Sequence, residues 1–160
     1  MTGVRPLRPA ERDWFRALNN AAVPHVNHLE PADLDALLAQ AALAQVAELD
    51  GAPAAGMIVF APGAAYTSAN YRWFEARYSD FLYVDRVVVA PEARGRGLGR
   101  ALYAATIAAA RAHGGRVAVE VNEEPPNPGS RAFHERLGFQ QVASVTHGPD
   151  KRVAMLLREA

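Results

Sequence analysis

Seven consecutive residues, Arg94-Gly95-Arg96-Gly97-Leu98-Gly99-Arg100, hold the densest chemistry in the chain. They lie where an aromatic and β-branched run gives way to a helical pattern. The first N–H groups of a helix have no partner within it and carry partial positive charge. Glycine beside them lets a phosphate approach closely. The three arginines add charge, so a pyrophosphate is the natural ligand. A tight turn with solvated arginines is the plain alternative. A P-loop would need Gly-Lys-Ser/Thr, and Gly99 is followed by Arg100-Ala101. A dinucleotide fingerprint would need a third glycine, and Arg100 or Leu102 stands there. Glu120 nevertheless falls about twenty residues on, near the end of the next strand, where a ribose-binding acid sits. A dinucleotide therefore stays open.

Other groups set limits. Cysteine is absent, which excludes disulfides, thiolate metal sites and a Cys nucleophile. His25 and His28 are bracketed by Pro24 and Pro31, and Glu30 has no obvious acidic partner, so this reads as a loop and no metal is expected. Residues 61–80 crowd Tyr66, Tyr71, Trp73, Phe74 and Tyr78 beside a core strand. They form either a lid or acceptor-pocket wall, or a satellite cluster holding the loop down. Tyr66, Asn70, Trp73, Arg77 and Tyr83 are the candidate acceptor-pocket residues. Asp85 lies in the central strand, and simple alternation turns its neighbour Arg86 to the opposite side.

The elements that position these groups follow from periodicity. Residues 81–89 suit a pleated, half-buried strand. From residue 97 onward Leu98, Ala101, Leu102, Ala105, Ala108, Ala109 and Ala112 recur at helical spacing. His113-Gly114-Gly115 supplies the stop. Residues 116–122 form the next strand, with Val117, Val119 and Val121 on one face and Ala118, Glu120 and Asn122 on the other. Before this unit come a strand within residues 1–8 and a helix opened by Pro9, carrying Trp14, Phe15 and Leu18 and ended by Asn19-Asn20. A second helix covers 31–42. Residues 44–50 and 53–60 form a hairpin turned by Asp50-Gly51, and 70–78 a short helix. After the unit, Asn127 is an N-cap and Pro128 a first helical residue for a helix over 130–137, stopped by Gly138. A final hairpin pairs 139–145 with 152–157.

Val87-Val88-Val89-Ala90-Pro91 followed by Arg94-x-x-Gly97-x-Gly99 resembles motif A of the GNAT superfamily of acetyltransferases. Asn127-Pro-Gly-Ser130-Arg-Ala-Phe133-His134-Glu-Arg-Leu137-Gly138-Phe139 resembles its motif B, with His134 where the family often has Tyr. The resemblance implies acetyl transfer from acetyl-CoA to a primary amine of a small molecule or peptide by direct attack. It implies that Val87, Val88 and Val89 offer a strand edge to the pantetheine arm. Arg94, Gly95, Arg96, Gly97, Leu98, Gly99 and Arg100 would hold the pyrophosphate, and Asn127 and Ser130 would approach the arm. Glu120 becomes the first candidate for the base that deprotonates the amine, with Asp85 second and Asn122 on the acceptor side beside Glu120. His134 is either the acid toward the leaving thiolate or a histidine on the helix flank with no chemistry. Reference values of roughly 6.5 for His and 8.5 for a thiol make that transfer downhill. A non-catalytic acyl-CoA binder of the same fold remains open.

The 160 residues fit one domain spanning 1–160. The fold class expected is α/β, an αβα layered GNAT-type domain with a mixed sheet of about seven strands and helices on both faces. Formal charge is zero, so no nucleic-acid footprint is present. Nothing resembles a signal peptide or a membrane span, and the expected location is the cytoplasm. The partners expected are the amine acceptor and, as a candidate, a second copy of the chain in a homodimer.

Overall fold

The computed structural model describes residues 2–112 and 114–160; the expectations resting on Met1 and His113 lie outside the described residues. The alternating apolar runs become seven strands of one sheet, in the order β1-β2-β3-β4-β5-β7-β6. They are β1 (Thr2–Pro6), β2 (Leu43–Leu49), β3 (Ala52–Phe60), β4 (Leu82–Val89), β5 (Arg116–Glu124), β6 (Gln140–Thr146) and β7 (Arg152–Glu159). Every neighbouring pair is antiparallel except β4 and β5, which are parallel. The turn between β2 and β3 puts Asp50 at φ 53° and Gly51 at φ 82°. A two-residue hairpin of the expected kind requires positive values at both positions.

Among the described residues five α-helices cover the two faces. They are α1 (Arg12–Ala21), α2 (Pro31–Gln40), α3 (Ala69–Glu75), α4 (Leu98–Ala110) and α5 (Pro128–Arg136). One core cluster joins Leu98, Leu102, Tyr103 and Ile107 of α4 to Val117, Val119 and Val121 of β5, with Phe133 of α5 beside it. The other joins Phe15 of α1, Leu34 of α2 and Tyr71 and Phe74 of α3 to Tyr83, Ala118 and Met155. The alternation read along β5 is thus the one the sheet uses, and it turns Glu120 toward the α1–α3 side. Among the described residues no helix is long and apolar enough to cross a membrane.

Three local expectations need correction. The buried stripe of α4 is Leu98, Leu102, Tyr103, Thr106, Ile107 and Ala110, whereas Ala108 and Ala112 are exposed. Alanine is small enough to sit on either side, so its spacing did not fix the stripe. Asn19-Asn20 does not end α1. The helix runs on to Ala21, and both amides brace the loop that follows. Finally, Asp85 and Arg86 do not face opposite sides. Ile58 pairs with Arg86 but Val59 with Val84, so Asp85 is the extra residue of a β-bulge. Before the bulge Leu82 and Val84 pack toward α4; after it Val88 packs toward α1, and Arg86 turns with it.

The sheet also carries one close approach. A Cβ at Gly56 of β3 would stand 2.5 Å from Cε2 of Phe15, which is itself fully buried. Gly56→Ala is therefore expected to push α1 off the sheet and destabilise the fold by about 1–3 kcal/mol, read as a lower denaturation midpoint at unchanged slope.

Candidate functional site

β4 and β5 pair only at Leu82 with Val117 and Tyr83 with Ala118. Both strands run on past these pairs, to Val89 and Glu124, with no strand between them. Their facing edges keep unpaired main-chain groups, which must find a partner elsewhere. A cleft of ≈ 770 Å³ opens there, lined by Val87, Val88 and Val89 on one side and Glu120, Val121 and Asn122 on the other. Parallel strands joined through a helix rather than a hairpin can part in this way, because no tight turn binds their far ends.

The helix that makes this connection starts at the mouth of the cleft. Gly97 is its N-cap, at φ 80°. That is the left-handed region, where a side chain is disfavoured. Arg94, Gly95, Gly97, Leu98, Gly99 and Arg100 all line the cleft. Arg96 does not: it stands between two left-handed glycines and is turned out to solvent. The arginine expected there is thus one of two, Arg94 and Arg100, rather than one of three. On the other flank the Asn127 side chain accepts from the Ser130 N–H at 3.2 Å and caps α5. Its position after the prolines predicted this role. Asn127 and Ser130 both line the cleft. Free strand edges, a helix N-terminus and two arginines fit a long ligand with an amide-bearing arm and a pyrophosphate.

At the inner end the cleft meets a smaller polar pocket of ≈ 310 Å³. Glu120 and Asp85 line both. The Tyr83 hydroxyl donates to Glu120 Oε2 at 2.7 Å. Burial pushes the Glu120 carboxyl up to about 7; the Tyr83 hydrogen bond opposes this and the charge of Asp85 adds to it. Burial also pushes the Tyr83 phenol up, so it stays a donor.

Asp85 is occupied differently. Its carboxylate pairs with Arg86 Nε at 2.7 Å, both side chains 5% exposed, and accepts from the Tyr66 hydroxyl. The remaining Arg86 nitrogens reach Asn19 Oδ1 at 3.0 Å and Asn27 Oδ1 at 2.9 Å. This pair clips the loop after α1, which carries Pro24, His25 and Val26 into both cavities, onto β4. The second base candidate thus has its carboxylate committed to Arg86 and Tyr66 in this arrangement.

The acceptor-side residues divide. Tyr66 and Tyr83 line the small pocket, Asn122 the cleft, and Asn70 the cleft where its Oδ1 meets His147 Nε2 at 2.7 Å. Trp73 and Arg77 line neither. Helix α3 turns Tyr71 and Phe74 inward, Trp73 meets Phe74 edge-on, and the Arg77 guanidinium lies 4.1 Å over the indole. Their aromatic signal belongs to the packing of the loop, the other reading left open above.

His134 also differs from expectation. Its ring is 5% exposed, caged by Tyr103, Phe133 and Phe139. Nδ1 lies 2.7 Å from the Ser130 carbonyl. A carbonyl can only accept, so Nδ1 carries the proton. Nε2 then accepts from the Tyr103 hydroxyl at 2.7 Å. Desolvation lowers the pKa of His134 below its ordinary value, which favours this neutral ring. With both nitrogens engaged, His134 ties α5 to α4, and both it and Tyr103 line the cleft. Tyr103, buried on α4 opposite, went unread because one aromatic among alanines looks like core. Tyr103→Phe leaves Nε2 without its donor and is expected to cost about 1–3 kcal/mol of stability, measured by chemical denaturation. Among the described residues no cluster of His, Cys, Asp or Glu could hold a metal.

Known proteins share this fold. The structure superposes on the ribosomal-protein-S18-alanine N-acetyltransferase of Escherichia coli with a TM-score of 0.71 at 16% identity, covering 99% of this chain and 94% of that one. Ard1 of Thermoplasma volcanium gives 0.75 at 14% identity, covering 99% and 97%. Arabidopsis thaliana NAA60, solved in complex with acetyl-CoA, gives 0.76 at 14% identity over 100% of both chains. No curated protein matches the chain in sequence. The model of the acetyltransferase (GNAT) family matches residues 8–139, most of the chain and all of the cleft's strand, glycine turn and both flanking helices, and the protein belongs to that family.

Proposed function

We propose that the protein transfers an acetyl group from acetyl-CoA to a primary amine of a small molecule or peptide by direct attack. One observation carries this reading. Glu120, with its carboxyl near 7, stands where the long cleft meets the small pocket. A carboxylate tuned to neutrality at the junction of two binding spaces is suited to take a proton from one ligand as it attacks the other.

Acetyl-CoA would supply an acyl group already activated as a thioester. The chain's part is to align it and the amine, which can be worth roughly 7–11 kcal/mol at best. Val87 and Val89 offer main-chain groups to the pantetheine arm as an added strand would, and Asn127 flanks it. The N–H groups of the first turn of α4, with Arg94 and Arg100, hold the pyrophosphate. Glu120 takes the proton the amine loses as its C–N bond replaces the C–S bond, CoA leaves as the thiolate and takes its proton from solvent, and Tyr83 fixes the carboxyl's direction. His134, neutral and bonded to Tyr103, holds α4 and α5 in register rather than giving up a proton.

Calorimetric titration with acetyl-CoA, with NAD as control, tests the ligand, and release of free thiol in the presence of amines tests the transfer. Binding of acetyl-CoA with turnover of an amine is the expected result. Binding without turnover of any amine would leave an acyl-CoA binder, and binding of NAD alone would return Glu120 to a ribose.

A further inference from the structure

The small pocket has a charge arrangement that selects its occupant. Its walls are mainly polar, and its volume is ≈ 310 Å³. That lies at the lower end of ligand-pocket sizes. Most charged groups in it are engaged. Arg86 spends its nitrogens on Asp85, Asn19 and Asn27, and Asp85 is held by Arg86 and Tyr66. Glu120 holds Tyr83. Lys151 is the exception. It lines both cavities, and its ammonium makes no ion pair among the described residues.

Lys151 is exposed, but the loop that carries it is held in place. It ends the loop between β6 and β7, and the His147 N–H closes that loop by donating to the Lys151 carbonyl at 2.7 Å. The His147 ring reaches across to Asn70 Oδ1 at 2.7 Å. Asn70 lines the same cleft as Glu120. The loop bearing the cation is therefore held, through the His147–Asn70 pair, against the cleft that Glu120 lines. Lys151 is also the only lysine in the chain, a compact charge on a flexible stem among arginines otherwise placed.

Resting on the acetyl-transfer reading, we infer that the acceptor is a small amino carboxylate, its amine meeting Glu120 and its carboxylate meeting Lys151. A diamine or polyamine would bring a second ammonium against Lys151, a like-charge meeting with no compensating acid free in the pocket. A peptide N-terminus would bring an amide where the carboxylate belongs. An amino carboxylate instead matches both ends, and its anion replaces water on an ammonium that has no protein partner.

The test is a panel of acceptors at fixed acetyl-CoA, read as thiol release: the free amino acids and β-alanine, their amides, spermidine and short peptides. At least one free amino acid is expected to exceed its own amide by at least about tenfold in kcat/KM. Lys151→Met should erase that ratio by raising KM for the free amino acid while leaving KM for its amide nearly as it was, and Lys151→Arg should restore most of it. A preference for spermidine or peptides, or a ratio untouched by Lys151→Met, overturns the inference while leaving the transferase intact. Turnover of none of the panel, with acetyl-CoA bound, overturns both.

Discussion

Glu120→Gln is expected to lower kcat/KM by about 10²- to 10⁴-fold, the range of a positioned general base. It should do so without weakening acetyl-CoA. The pH profile identifies the cause. Attack needs the free amine and the ionised carboxylate together. Below pH 7 both fractions grow tenfold per pH unit, so log kcat/KM should rise with a slope of about two and bend near 7, where burial places Glu120. The amide variant keeps only the amine's own titration, a slope of about one throughout. A variant with unaltered slope and rate would transfer the base role to water or another group.

The same substitution has an opposite effect on stability. Glu120 is raised from an ordinary 4.5 to about 7 in the fold. Below 4.5 both folded and unfolded chains hold the proton, and no penalty exists. Between 4.5 and 7 the unfolded chain ionises first, so stability falls as pH rises, and above 7 the full cost of a buried charge is present. Glu120→Gln removes that cost. The variant should match the wild type near pH 4.5 and exceed it by on the order of 1–3 kcal/mol at pH 8, by denaturant titration at both pH values. Loss of rate with gain of stability at one residue is the behaviour of an active-site group, which a strand-end salt bridge would not show.

What the sequence revealed and what it concealed follow from the range of the forces involved. The glycine turn, the α4 start and the Asn127 cap are set by residues within a turn of each other, so they were legible. The facing of Glu120 was legible too, because β5 keeps its period of two from Arg116 to Asn122, before its register shifts. The β4 bulge was not, since it is fixed by the register of Ile58 and Val59 across the sheet, and it alone brings Arg86 round to Asp85. His134 was placed on its helix correctly, but its neutrality depends on Tyr103, thirty-one residues earlier. Trp73 and Arg77 looked like pocket residues because aromatic composition does not say which side of a short helix is buried. Lys151 carried no local signal, and the tie between His147 and Asn70, seventy-seven residues apart, places its loop at the cleft.

Gly97→Asp should abolish acetyl-CoA binding, with a loss of at least about a hundredfold, close to ~3 kcal/mol. The fold should survive. Aspartate is among the few residues that tolerate the left-handed conformation, and at an N-cap it accepts from the N–H groups of the next turn. That is the source of the binding defect. The carboxylate would satisfy the donors that Gly99 and Arg100 otherwise offer to a phosphate, and it would hold a negative charge where the pyrophosphate must come. Gly97→Asn separates the two effects, since its amide caps the same N–H groups without charge. It is expected to bind more weakly than wild type by about tenfold, with a salt dependence unlike that of the aspartate variant, whose repulsion is screened as ionic strength rises. Calorimetry of the three proteins at low and high salt reads both. Equal affinity in all three would mean that the first turn of α4 does not hold the pyrophosphate, and that Arg94 and Arg100 serve the solvent rather than the cofactor.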